Sequence, residues 1–199
     1  MNVPAKAVFL DRDGVINEIV YDRELGLIDS PRCARQFRLL PHAAEGIRLL
    51  NQAGFKVIVV TNQPGIAKKS LTRRALREIH GRMTRMLQAR GARLDAIYCC
   101  LHHPEAKIKT LRQVCECRKP GCGLLRAAAR DWSLDLPRSF MVGDSFTDIE
   151  AGHAAGCRTI FVGRWKCEAC QLMGEDGARP DILARDLSEA AQLILRGAA

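Results

Sequence analysis

Five short apolar runs punctuate the chain, at Ala7–Leu10, 57–60, Ala96–Cys100, 139–142 and 159–162. Each has the length of a strand, and several are rich in Val, Ile or Phe, residues that pack well on a pleated surface. The runs are continuous rather than alternating, which predicts strands buried on both faces, as in a parallel sheet. Between them lie longer stretches with helix signals. These are 42–53, with Pro41 before it and Gly54 after it; 72–90, ending at Gly91; Gly123–Trp132; 148–155, ending at Gly156; and 187–195. Strands alternating with helices require right-handed crossovers, so the expected fold class is α/β, a doubly wound parallel sheet with ligands outside the carboxyl ends of its strands. One domain spanning residues 1–199 is expected, since the length suits a single core and no repeat or low-complexity linker interrupts it.

Three of the predicted strand ends carry polar residues. Asp11 and Asp13 follow the first run, Thr61 and Asn62 the second, and Gly143 and Asp144 the fourth. In Phe9-Leu10-Asp11-Arg12-Asp13-Gly14 the two acids lie where a strand gives way to a glycine turn, so both can converge on one site. A divalent cation would relieve their repulsion. Magnesium takes few protein carboxylates and keeps room for phosphate oxygens, so Asp11, Asp13 and Asp144 form a plausible set. An Asp-Gly turn with solvated acids is the plain alternative. Asp148 falls near a helix start, where it can cap the helix or support the metal shell.

A second constellation is Cys100-Leu101-His102 followed, after residues 103–114, by Cys115-Glu116-Cys117. Three thiols and an imidazole in two close pairs make a closed tetrahedral site of the kind zinc occupies structurally. The intervening stretch lacks a long hydrophobic period, so a metal clip over 100–117 would supply order that burial cannot. Cys99 competes with Cys100 in this reading, and His103 with His102. Cys167 and Cys170 have metal or redox spacing but no partner pair, and they are assigned no role.

Composition narrows the function classes. Nine cysteines without a signal peptide point to metal ligands and buried thiols rather than a disulfide framework. No run of transmembrane length occurs, so a cytoplasmic protein without a membrane partner is expected, and a monomer. The net charge of +9 admits nucleic acid, a small anionic substrate or a solvated basic surface. The cations are scattered and only 5% of residues are aromatic, which supplies a nucleic-acid stacking platform poorly. A small phosphorylated metabolite is the expected partner.

The chain resembles the haloacid dehalogenase superfamily of phosphatases. Its motifs occur in order at Asp11–Gly14, Thr61-Asn62, Lys119 and Gly143-Asp144 with Asp148 beyond. The resemblance implies an enzyme, with Asp11 as the nucleophile that forms an aspartyl-phosphate and Asp13 as general acid and then base. It also implies that Thr61, Asn62 and Lys119 hold the phosphoryl oxygens beside magnesium. The block from Cys100 to Pro120 is similar to the branch acting on a heptose bisphosphate or histidinol phosphate, whose members lack a large cap domain. The twelve residues of 103–114 match the heptose type of loop, and Arg118 could grip a second, non-reacting phosphate. Heptose bisphosphate is therefore the expected substrate. Histidinol phosphate, a nucleic-acid end and a non-enzymatic zinc module are the rivals, and the 18–40 stretch is longer than the heptose type requires.

Overall fold

The computed structural model describes residues 4–22, 27–163 and 178–197. Cys167 and Cys170 lie outside the described residues. The chain opens with β1 (Ala7–Leu10), followed by a ribbon of β2 (Val20–Asp22) and β3 (Leu27–Asp29). Next come α1 (Ala43–Gln52), β4 (Lys56–Asn62), α2 (Arg73–Gln88), β5 (Ala96–Cys100) and α3 (Gly123–Trp132). The remainder is β6 (Phe140–Gly143), α4 (Phe146–Ala155), β7 (Arg158–Val162), β8 (Ile182–Ala184) and α5 (Leu187–Gly197).

Six strands form one sheet in the order β5-β4-β1-β6-β7-β8, all pairs parallel. The chain leaves β1 toward β4 and β5, then returns to the other side of β1 through β6. Strand direction from the centre thus reverses around β1, and the crevice at its carboxyl end is where a doubly wound sheet binds ligands. The ends of β4, β1 and β6 lie side by side there, which brings Thr61, Asp11 and Asp144 to one edge.

The sheet is covered on both faces. Val8 and Leu10 of β1 face the cluster built with Ile47 and Leu50 of α1 and Ile79 and Met83 of α2. Ala7 and Phe9 face the opposite cluster, with Leu125 and Ala128 of α3 and Ala151 of α4. This explains why β1 reads as an unbroken apolar run. Helix α2 buries Leu76, Ile79, Met83 and Leu87, one stripe at helical spacing. Its N-cap Thr72 accepts a 3.0 Å hydrogen bond from the Ala75 N–H.

Predicted strands at 7–10 and 96–100 match, and the others shift by one or two residues. Helix α4 begins two residues before the expected position because Ser145 caps it, with Asp148 returning a bond to the Ser145 main chain. The ribbon and β8 have no counterpart in the sequence reading. Among the described residues the ribbon and the segment 101–122 between β5 and α3 are the longer additions to the sheet and its helices, in keeping with the absence of a large cap domain.

Helices α1 and α5 pack so closely at Gly46 that a Cβ there would overlap the Leu187 carbonyl. Replacing Gly46 with Ala gains about 1 kcal/mol of helix propensity, whereas overpacking against main chain costs roughly 1–3 kcal/mol. A net loss of stability is expected, read as a lower urea midpoint with activity at 25 °C retained; a raised midpoint would show that α5 yields freely.

Candidate active site

A buried ammonium organises the edge of the sheet. Lys119 Nζ lies 2.8 Å from Asp11 Oδ1 and 2.5 Å from Asp148 Oδ1, and it donates to the Val60 carbonyl at 2.9 Å. Asn62 fixes the main chain beneath it: Asn62 Oδ1 accepts from the Lys119 N–H at 3.1 Å, and Asn62 Nδ2 donates to the Lys119 carbonyl at 3.0 Å. Asp148 is fully buried, and its other oxygen accepts from the Ser145 N–H and hydroxyl at 3.1 and 2.7 Å. Asp11, Asp144 and Asp148 each bring a carboxylate oxygen within 4.8 Å of the others.

Close approach here depends on two glycines. A Cβ on Gly14, which has φ +83°, would run into the Asp144 carboxylate, and one on Gly143 would run into Asp148. Crowding shows in the titration. Burial pushes Asp11 up to about 6, with Asp148 and Asp13 adding to the effect and Lys119 opposing it. Asp144 rises to about 7, through burial first and then the charges of Asp11 and Asp148. Burial lowers the Lys119 pKa, but Asp11 and Asp148 outweigh it and hold the ammonium charged. An excess of hard oxygen donors that a single ammonium does not neutralise fits a hard divalent cation such as magnesium.

The expected magnesium set was Asp11, Asp13 and Asp144, and the three carboxylates that lie together are Asp11, Asp144 and Asp148. The Asp13 side chain binds Arg12. Arg12 Nε donates to Asp13 Oδ1 at 3.1 Å, and Arg12 Nη2 lies 2.9 Å from both Asp13 oxygens. Asn17, Gln63 and Ser30 donate to the same carboxylate at 2.9, 2.8 and 2.9 Å. Burial raises its pKa, but the guanidinium charge and these hydrogen bonds outweigh it and hold Asp13 below the usual carboxylate range.

Thr61 is buried at the end of β4, and its hydroxyl oxygen accepts from Gln63 Nε2 at 3.0 Å, which leaves the hydroxyl proton for another acceptor. Asn62, expected to touch a phosphoryl group, uses its amide oxygen and one N–H of its amide on the Lys119 main chain, which holds the lysine. Sequence reasoning missed Arg12, Asn17, Ser30, Gln63 and His80, all of which converge on Asp13 or on the group that holds it. Arg12 and Asn17 sit inside the Asp11 motif, but a polar residue beside an acid carries no signal of burial.

Cys100, His102, Cys115 and Cys117 come together as predicted. Their sulfur atoms are 3.2 to 3.6 Å apart, and His102 Nδ1 lies 3.3 Å from Cys117 Sγ and 3.9 Å from Cys100 Sγ. A tetrahedron with metal–sulfur bonds of about 2.3 Å has similar edges, so the donor type and spacing suit zinc. Cys99 and His103 stay outside this group. Arg118 follows directly, and its guanidinium donates to the His102 carbonyl at 3.4 Å. On the far side of Asp144, a cavity of about 670 Å³ opens between Gly14, Ile19, Leu40, Phe146 and Phe161. That volume is sufficient for a small metabolite. Among the described residues no helix is long and apolar enough to cross a membrane.

Residues 116–190 match the HAD-hydrolase-like family. The chain is 41% identical over 150 residues to the D-glycero-beta-D-manno-heptose-1,7-bisphosphate 7-phosphatase of Rhodopseudomonas palustris, covering 75% of this chain and 79% of that relative. It is 37% identical over 197 residues to the D-glycero-D-manno-heptose-1,7-bisphosphate 7-phosphatase of Thermosynechococcus vestitus, with 96% of each chain covered. The crystal structure of D,D-heptose 1,7-bisphosphate phosphatase from B. bronchiseptica, complexed with magnesium and phosphate, superposes with a TM-score of 0.78 at 32% identity. That match covers 96% of this chain and 99% of the other.

Asp11 and Asp144 have folded pKa values of about 6 and about 7 against 3.8 for the free side chain. Between these values the folded state binds more protons than the unfolded chain, so their contribution to stability falls as pH rises from about 4 through about 7. In buffer without added divalent cations, Asp144→Asn is expected to raise the melting temperature at pH 8 and to lose that advantage by pH 5. A gain independent of pH would exclude carboxylate crowding as its cause.

Proposed function

Because the chain belongs to the HAD-like hydrolases and is a phosphatase, we propose that it removes the 7-phosphate of D-glycero-D-manno-heptose 1,7-bisphosphate through an aspartyl-phosphate on Asp11. The observation that carries this reading is the Asp11 carboxylate at the end of β1, paired with Lys119 and grouped with Asp144 and Asp148 beside Thr61. The heptose substrate rests on the functions of relatives that align over most of their own length.

In the proposed reaction an Asp11 oxygen attacks phosphorus and the bond from phosphorus to the sugar oxygen breaks. Asp13 gives that departing oxygen its proton. The resulting acyl phosphate is opened by water, whose proton returns to Asp13, and inorganic phosphate leaves. The Lys119 ammonium and the Thr61 hydroxyl donate to phosphoryl oxygens, where charge accumulates. Asp11, Asp144 and Asp148 would hold magnesium, which would supply positive charge to the transferring group. Asp148 shares its carboxylate with Lys119 and the Ser145 cap, so it keeps both the ammonium and the start of α4 in place.

Zinc at Cys100, His102, Cys115 and Cys117 is structural in this reading, since four protein ligands leave no position for a reacting water. It would fix the segment that carries Arg118 and Lys119. Arg118, next to Lys119, would bind the remote phosphate of a bisphosphate.

Asp11→Asn is expected to lower kcat by more than about 10³-fold on heptose bisphosphate with magnesium, and undiminished turnover would remove Asp11 as nucleophile. Arg118→Ala should lower kcat/KM for the bisphosphate roughly 10- to 100-fold while leaving monophosphate esters little changed, a charged hydrogen bond contributing about 1.5–3 kcal/mol. Faster hydrolysis of histidinol phosphate, or of a 3′-phosphorylated oligonucleotide, would replace the substrate. For the metal, about one zinc per chain is expected, with Cys117→Ser losing both the zinc and several degrees of melting temperature. Full stability in that variant would remove the structural role.

A further inference from the structure

Arg12 is fully buried beneath the site. Besides its fork to Asp13, its Nη2 donates to Gln63 Oε1 at 3.1 Å, and its Nη1 lies 3.1 Å from His80 Nε2, on the face of α2 that looks toward the sheet. A guanidinium has donors only, so His80 Nε2 must accept. The imidazole is then neutral, with its proton on Nδ1. Burial and the Arg12 charge push its pKa down to about 4, in agreement with that assignment. Gln63 closes the ring by donating to Asp13 Oδ2 at 2.8 Å and to the Thr61 hydroxyl oxygen at 3.0 Å.

Burying a guanidinium costs several kcal/mol unless geometry and hydrogen bonds compensate. Asp13 alone could supply the charge partner. Two further acceptors, on α2 and at the end of β4, do something a single pair cannot: they pin the planar fork at both ends, so it can neither rotate nor slide. The plane of the Asp13 carboxylate is thereby set, with Asn17 donating to Oδ1 and Ser30 to Oδ2. Proton transfer needs the donor within about 2.6–3.2 Å of the reacting oxygen, and an error near 1 Å can cost about 10²-fold.

We infer that Arg12 and His80 are positioning residues for Asp13, and that they act on protonation of the departing oxygen rather than on phosphoryl binding or nucleophilic attack. This rests on the proposed role of Asp13 as general acid. An alkoxide needs that proton to leave. A p-nitrophenolate does not, because its negative charge is already stable near neutral pH.

The test compares kcat/KM, which reports steps up to transfer onto Asp11, for the heptose bisphosphate and for p-nitrophenyl phosphate. His80→Phe, which removes the acceptor, is expected to lower kcat/KM for the sugar ester roughly 10- to 100-fold and that for p-nitrophenyl phosphate by less than about threefold. His80→Gln offers an amide oxygen near the same point and should restore most of the loss. Arg12→Lys keeps the charge but not the fork and should show the same selectivity, which serves if His80→Phe folds poorly. Equal losses on both esters, or no loss on either, overturn the inference. Asp13→Asn separates the two levels. If it shows no selectivity, the acid assignment fails and the inference with it. If it is selective while the His80 and Arg12 variants are not, only the positioning role is lost.

Discussion

The contact on which the site depends is the Lys119 ammonium set between Asp11 and Asp148. An ion of this kind inside a protein costs several kcal/mol to desolvate, and removal of its partners would leave that cost uncompensated. Here the ammonium has three partners, two carboxylates from different elements by ion pairing and the Val60 carbonyl at the end of β4 by a hydrogen bond. The lysine thus joins β1, β4 and the start of α4 through one charge. Without it, three carboxylates would face one another at the edge of the sheet with no cation among them.

Asp11 and Asp13 are two residues apart, yet the fold gives them opposite surroundings. Asp11 stands among other carboxylates, which with burial raises its pKa, while Asp13 is wrapped by a guanidinium and neutral donors, which lowers it. The separation comes from the glycine turn after β1. Gly14 has φ +83° and no side chain, so the chain reverses against Asp144 while the Asp13 side chain is directed into the Arg12 cluster.

Much of this was legible because it follows local rules. Continuous apolar runs gave the central strands, and the acids just after β1 and β6 marked the working edge. Cys100, His102, Cys115 and Cys117 were legible because ligand type and paired spacing are rare together. The short elements were not. Strand β8 is Ile-Leu-Ala, and each strand of the ribbon has three residues, too few to show a period. Asp13 stands outside the group of Asp11, Asp144 and Asp148 for a different reason. Spacing within a motif fixes where a backbone goes, but the direction of a short side chain depends on partners distant in sequence, here Gln63 and Ser30. Arg12 read as one more basic residue in a chain of net charge +9, although it is the largest fully buried side chain among the described residues.

Lys119 poses a harder problem than the acids, because it does not arrive on a strand. The sheet ladder holds Asp11, Thr61 and Asp144 to their register, whereas the segment after β5 has no ladder to hold it. Three separate devices replace one. Upstream, the Cys and His side chains gather Cys115 and Cys117 against Cys100 at the end of β5. Alongside, the Asn62 amide binds the Lys119 main chain at both its N–H and its carbonyl. Downstream, the N–H of Gly123 donates to the Glu116 carbonyl at 2.8 Å, and a Cβ on Gly121 or Gly123 would overlap that same peptide, so the entry to α3 is folded tightly onto the loop. Loosening any one of them moves the ammonium relative to a sheet edge that stays where it is. The cluster of thiols and imidazole, remote from the carboxylates in sequence and chemistry, therefore belongs to the same functional unit.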